Sequence, residues 1–166
     1  GNLGDSYLGL QILKKKIKFL NKINNYFINK YYQPTIQISL VEKIVNFANT
    51  SIDVSDGLIS DLEKMMNNQN YSYEIDEDKI PISKNLSKII TTRKLKKYKF
   101  ISNGDDYQIL FTARPNKSRI IEDTSKNIGV KITKIGKIIS GNRKSSLTDQ
   151  KGKQILIKNK GYIHQF

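Results

Sequence analysis

Apolar positions switch between helical and extended spacing several times along the chain. The opening Gly1-Asn2-Leu3-Gly4-Asp5-Ser6 reads as a turn into a helix, with Asp5 or Ser6 as its cap. Leu10, Leu13, Ile17 and Leu20 then make an apolar stripe, loosely continued by Phe27. That stripe predicts one long helix or two shorter ones, ending before Pro34. A short helix is expected over 41–47 and a short strand over 51–54. Leu58, Ile59, Leu62, Met65 and Met66 then fall on one helical face. Residues 67–70 read as a loop, and the alternation over 71–75 as a strand followed by the acidic turn Asp76-Glu77-Asp78. Ile80-Pro81 ends that segment, because proline cannot continue a ladder. Further helices are expected over 85–95 and 117–127, with a strand over 108–112. Residues 130–139 and 154–158 read as strands of a final hairpin-like unit with its turn at 149–152. Such alternation of strands and helices predicts a mixed α/β (α+β) class, a mixed β-sheet flanked by helices.

The richest chemistry sits in Asp53-Val54-Ser55-Asp56-Gly57-Leu58, where the extended pattern gives way to the helical one. Ser55 or Asp56 is placed to cap the helix. A helix N-terminus carries unpaired N–H groups and partial positive charge, which suits phosphate. Carboxylates there repel bare phosphate but can hold it through Mg²⁺, which takes oxygen ligands from carboxylates and phosphates together. Two readings stay open on spacing alone: Asp53 and Asp56 cap the helix, or they bind a metal. A second constellation, Asn103-Gly104-Asp105-Asp106-Tyr107, precedes the 108–112 strand. It reads either as a tight turn whose residue types serve backbone geometry or as polar groups gathered at a sheet edge.

Composition changes the picture mainly by exclusion. At 166 residues the chain can build one good core. It has no cysteine, so disulfides, thiolate metal sites and cysteine nucleophiles are ruled out, and a cytoplasmic location is expected. No apolar run approaches the length of a membrane span, and no membrane association is expected. The net charge of +14 invites a nucleic-acid reading. That charge is nearly all lysine, however, and the dense runs Lys14-Lys15-Lys16 and Arg93-Lys94-Leu95-Lys96-Lys97 lack aromatic platforms for bases. No nucleic-acid partner is therefore expected, only a mild attraction for anionic nucleotides. There is no P-loop and no G-x-G-x-x-G fingerprint, so any handling of nucleotide phosphate must run through carboxylates and metal. The one histidine, His164, lies in a tail with Tyr162 and Phe166, and supports neither a triad nor a histidine metal cluster.

In chain order, Gly-Asn-Leu-Gly-Asp-Ser at 1–6, Asp-Val-Ser-Asp-Gly-Leu at 53–58, Ile-Pro at 80–81, Gly-Asp-Asp-Tyr-Gln-Ile-Leu-Phe-Thr at 104–112, Ile-Gly-Lys-Ile at 135–138 and Gly-Tyr-Ile-His at 161–164 resemble the thiamine-monophosphate kinase family. The resemblance covers essentially the whole chain and matches the family's C-terminal half, the domain shared with aminoimidazole-ribonucleotide synthetase. It implies that fold, with 1–166 as a single C-terminal domain and the family's N-terminal ATP- and Mg²⁺-binding domain absent. It also implies transfer of the γ-phosphoryl of ATP to thiamine phosphate, assisted by Mg²⁺ and without a covalent catalytic residue. Asp53 and Asp56 would be Mg²⁺ ligands and Ser55 a contact to ATP phosphates. Asp105 and Tyr162 would contact thiamine phosphate. The family usually has glutamate where this chain has Asp105, which shortens the reach by a methylene. The family resemblance further implies a cytoplasmic homodimer when full-length, and little activity from this chain alone. Two other readings are a hydrogenase-maturation or selenophosphate-synthesis relative and a non-catalytic basic binding module.

Overall fold

Two short antiparallel strands carry the acidic boxes, and helices and a second small sheet hold them in place. The structure, a computed structural model, describes residues 1–67, 69–141, 143–157 and 160–161. Seven α-helices are seen among them: α1 (Asp5–Leu13), α2 (Asn21–Tyr32), α3 (Ile38–Ile44), α4 (Leu58–Met66), α5 (Lys84–Thr92), α6 (Tyr98–Ile101) and α7 (Ser118–Ile128). The strands are β1 (Ala48–Asp53), β2 (Tyr71–Asp76), β3 (Ile109–Ala113), β4 (Gly136–Ser140) and β5 (Ser146–Thr148). β1 pairs antiparallel with β3, placing Asp53 opposite Ile109. In the other sheet β2 is central, antiparallel to β4 and parallel to β5. The mixed α/β class expected from the pattern is therefore the class observed.

The N-terminal apolar stripe resolves into two helices, with its Ile17 and Phe27 in one apolar cluster. Leu8, Ile12 and Phe27 are the fully covered residues, whereas Leu20 is 79% exposed just before α2. The break falls at the Lys14-Lys15-Lys16 run, where Lys15 takes a positive φ of 56° and three neighbouring ammonium groups stay in water. α1 and α2 cross closely because Gly9 has no Cβ to strike the Phe27 carbonyl. Around them Leu86, Ile89 and Phe100 complete one apolar cluster. The stripe on α4 is as expected: Leu58, Ile59 and Leu62 are buried against Tyr73 and Ile75 of β2. Leu40, Ile44 and Phe47 form a third cluster under β1 and β3, closed by Ile121 of α7.

The C-terminal hairpin is the main topological correction. β4 and β5 do not pair with each other; β2 lies between them. β5, at Ser146–Thr148, went unread because three residues give no period, and Leu147 alone is buried there. The turn at 149–152 does form, closed by the Gly152 N–H to the Asp149 carbonyl at 2.9 Å, but it leads only to a single bridge between Thr148 and Gln154. The expected strand over 154–158 is otherwise absent through residue 157, and Lys158 lies outside the described residues. The strand expected over 130–139 shrinks to β4. No helix among the described residues is long and apolar enough to cross a membrane.

Candidate functional site

The two acidic boxes lie side by side, joined by backbone hydrogen bonds beyond the ends of β1 and β3. The Val54 N–H donates to the Gln108 carbonyl at 2.8 Å, Tyr107 N–H to Val54 at 2.9 Å, and Asp105 N–H to Ser55 at 2.9 Å. Two glycines make this approach possible. A Cβ on Gly104 would fall on the Ser55 carbonyl, and one on Gly57 would come within 2.6 Å of the Ser102 carbonyl. Gly57 also sits at φ 133°, a region that side chains disfavour. Gly104→Ala should accordingly push the boxes apart and cost about 2 kcal/mol, the range for overpacking. A urea midpoint unchanged from wild type would show that the loops separate freely.

This pairing brings Asp53, Ser55, Asp56 and Asp105 to one edge. Asp53 is exposed at the last position of β1, and Ser55, Asp56 and Asp105 are half-buried. The Tyr107 hydroxyl reports their proximity: after burial, the charges of Asp105, Asp53 and Asp56 all hold its pKa above the phenolic range. Asp105 is likewise raised, by burial first and then by the Asp56 carboxylate, with Lys14 acting against both. Asp105 and Tyr107 both adopt positive φ, 68° and 50°, on either side of Asp106. Asp106 itself turns inward, where its carboxylate accepts the Gly4 N–H at 2.6 Å and the Ser6 N–H at 3.3 Å. Asp106 thus caps α1 from a hundred residues away, and neither Asp5 nor Ser6 does. Asp5 instead accepts from Ser83 at 2.7 Å and Tyr26 at 3.0 Å.

The helix-cap expectation for Ser55 or Asp56 is also corrected. α4 begins after Gly57 with no side-chain cap from either residue. Asp61, one turn inside the helix and 0% exposed, takes the three N–H groups on one oxygen: Ser55 at 2.9 Å, Asp56 at 2.9 Å and Gly57 at 3.1 Å. Its other oxygen accepts from the Lys64 ammonium at 2.8 Å, which also contacts Asp56. In the sequence Asp61 lies just outside the Leu58–Met66 apolar stripe, a position that gives no local sign of its burial.

The chain closes over this same turn. Ser60 N–H donates to the Lys160 carbonyl at 3.0 Å, and a Cβ on Gly161 would lie 2.8 Å from the Asp56 carbonyl. Tyr162, expected to face the substrate, lies outside the described residues, one position beyond that contact.

Among the described residues no three carboxylate or histidine side chains converge as a ready metal cage. The donor set still fits a hard divalent ion in part. Asp53 and Asp56 offer carboxylate oxygens, and the Lys64 ammonium already stands as a cation against Asp56. Such a pair needs further oxygens, which water and phosphate supply for Mg²⁺.

No protein-family model matches the chain. Among curated proteins it is 38% identical over 168 residues to the thiamine-monophosphate kinase of Buchnera aphidicola subsp. Schizaphis graminum, covering 99% of this chain and 50% of that protein. The chain is similar to the C-terminal half of curated thiamine-monophosphate kinases. It spans about half the length of the curated kinases it matches. Among solved structures, AaThiL complexed with AMPPCP and TMP superposes with a TM-score of 0.74 at 26% identity, over 98% of this chain and 49% of that one. The Escherichia coli hydrogenase-maturation protein HypE shares the fold at a TM-score of 0.69 and 12% identity, over 96% of this chain and 48% of its own. The fold is the aminoimidazole-ribonucleotide synthetase-like one that the kinase resemblance implied.

Proposed function

We propose that this chain forms the C-terminal half of an ATP-dependent kinase that converts thiamine phosphate to thiamine diphosphate. The observation that carries the reading is the joining of the Asp53–Gly57 and Gly104–Tyr107 segments, which sets one serine and three carboxylates on a single edge. In this reading Asp53 and Asp56 hold Mg²⁺, Ser55 contacts the ATP phosphates, and Asp105 faces the cationic thiazolium, with Tyr162 beside the rings. Bound Mg²⁺ neutralises developing charge on the phosphate oxygens and aligns them for in-line transfer. The chain's own residues position rather than react: phosphoryl transfer requires no covalent nucleophile. Lys64, paired with both Asp56 and Asp61, would free Asp56 for a metal by keeping only its bond to Asp61. The raised pKa of Asp105 falls back when a cation docks beside it, because a neighbouring positive charge favours the carboxylate.

The likeness to HypE is a likeness of fold, whereas the sequence identity runs to the kinases. ATP consumption by the full-length protein with thiamine phosphate, set against other acceptors, tests the reading; consumption only with another acceptor overturns it. The family's other half would supply further metal and nucleotide contacts and a homodimer interface. Thiamine diphosphate formation by the isolated 166-residue chain should therefore be undetectable by product chromatography. Steady turnover by this chain would show that the edge is sufficient alone.

A further inference from the structure

Three N–H groups at the head of α4 would ordinarily be the natural place for a nucleotide phosphate. Here they are taken. One oxygen of Asp61 accepts from Ser55, Asp56 and Gly57, all within 3.1 Å, and the whole residue is out of solvent. The other oxygen is tied to Lys64. On the opposite side the Ser55 carbonyl is held by the Asp105 N–H. The turn is thus gripped from within by one carboxylate and from outside by the second box, with Lys64 linking that carboxylate to the Asp56 side chain.

We propose that Asp61 is the positioning residue of this site: its buried carboxylate fixes the 55–57 backbone and closes those N–H groups to phosphate, so that nucleotide engages the turn only through side chains and a divalent ion. The proposal rests on the kinase reading and adds to it the manner in which the phosphate is met. A carboxylate already lodged at the helix head repels a second anion there.

The test uses Asp61→Asn in the full-length kinase, since asparagine keeps the shape and one acceptor oxygen and removes the charge. The Mg²⁺ concentration for half-maximal rate should rise at least about tenfold, and equilibrium binding of an ATP analogue with Mg²⁺ should weaken in parallel, while the KM for thiamine phosphate moves less than about twofold. The thermal midpoint is followed in the same samples, and Asp61→Glu should recover little because its longer side chain displaces the turn. A folded variant with Mg²⁺ and nucleotide midpoints near wild type overturns the proposal. A crystal structure of the wild-type kinase with Mg²⁺ and an ATP analogue decides the matter even if Asp61 variants do not fold. Asp61 still bonded to the three N–H groups supports the proposal, and a phosphate oxygen on any of them overturns it. Should the wild-type protein consume ATP only with an acceptor other than thiamine phosphate, the kinase reading fails; should thiamine phosphate be the acceptor while Asp61→Asn changes nothing, only the positioning role fails.

Discussion

Replacing Asp53 with asparagine should lower turnover of the full-length kinase by about 10²- to 10³-fold and leave its thermal midpoint within roughly 2 °C of wild type. The rate effect follows from the chemistry asked of this edge. A metal that stabilises charge on a transferring phosphoryl is worth several kcal/mol, and each 1.36 kcal/mol lost is about a tenfold loss of rate. An amide cannot supply the anionic oxygen, so much of that stabilisation goes. The small stability effect follows from place. Asp53 is exposed at the end of β1, and its backbone rather than its side chain makes the register with Ile109. Surface changes of this kind rarely exceed about 0.5 kcal/mol. Stopped product assays and differential scanning on the same preparation separate the two effects. A rate within a few-fold of wild type removes Asp53 from metal binding.

Legibility in the sequence tracked how local each signal was. α4 and β2 were readable because a 3.6-residue stripe and a two-residue alternation declare themselves within one turn or one strand. The place of Asp53 at the strand-to-helix junction was readable too, because the extended pattern gives way to the helical one there. Local pattern did not reach what is decided across the chain. Which acid of the Asp105-Asp106 pair faces inward depends on α1, a hundred residues upstream, whose N–H groups claim Asp106. The order of β4, β2 and β5 depends on the burial of Leu147 against the same cluster as Ile75, which no window of residues reveals. Asp61 falls between these cases. It borders the apolar stripe of α4, but its three partners lie in the preceding turn, where Ser55 and Asp56 offered themselves as more ordinary caps.

Asp106 should make the stability of the 166-residue chain fall as pH rises from about 4 to 7, with Asp106→Asn removing most of that slope. Burial drives its carboxyl up to about 7, against the pull of the Gly4 and Ser6 N–H groups. The charge of Asp5 on α1 adds to the rise, and Asp5 is itself raised by burial while Ser83, Tyr26 and the Lys30 ammonium on α2 oppose it. Two buried carboxyls so placed disfavour two simultaneous charges. In the unfolded chain Asp106 titrates near 3.8, so between there and about 7 the folded state holds a proton that the unfolded state has released. Stability from this group is complete below the unfolded value and is lost as pH climbs through the folded one. The displacement corresponds to on the order of 4 kcal/mol. Solvent reaches the pair through a cavity of about 190 Å³ bordered by Asp5, Tyr26, Lys30 and Asp106. Asparagine mimics the protonated acid by keeping an acceptor for the Gly4 N–H. Urea unfolding at about pH 3.5 and pH 8 should therefore give near-equal stabilities for variant and wild type at the lower pH, and a more stable variant at the higher. Parallel pH profiles for the two proteins would show that Asp106 is ionised throughout and that the N–H groups of α1 outweigh its burial.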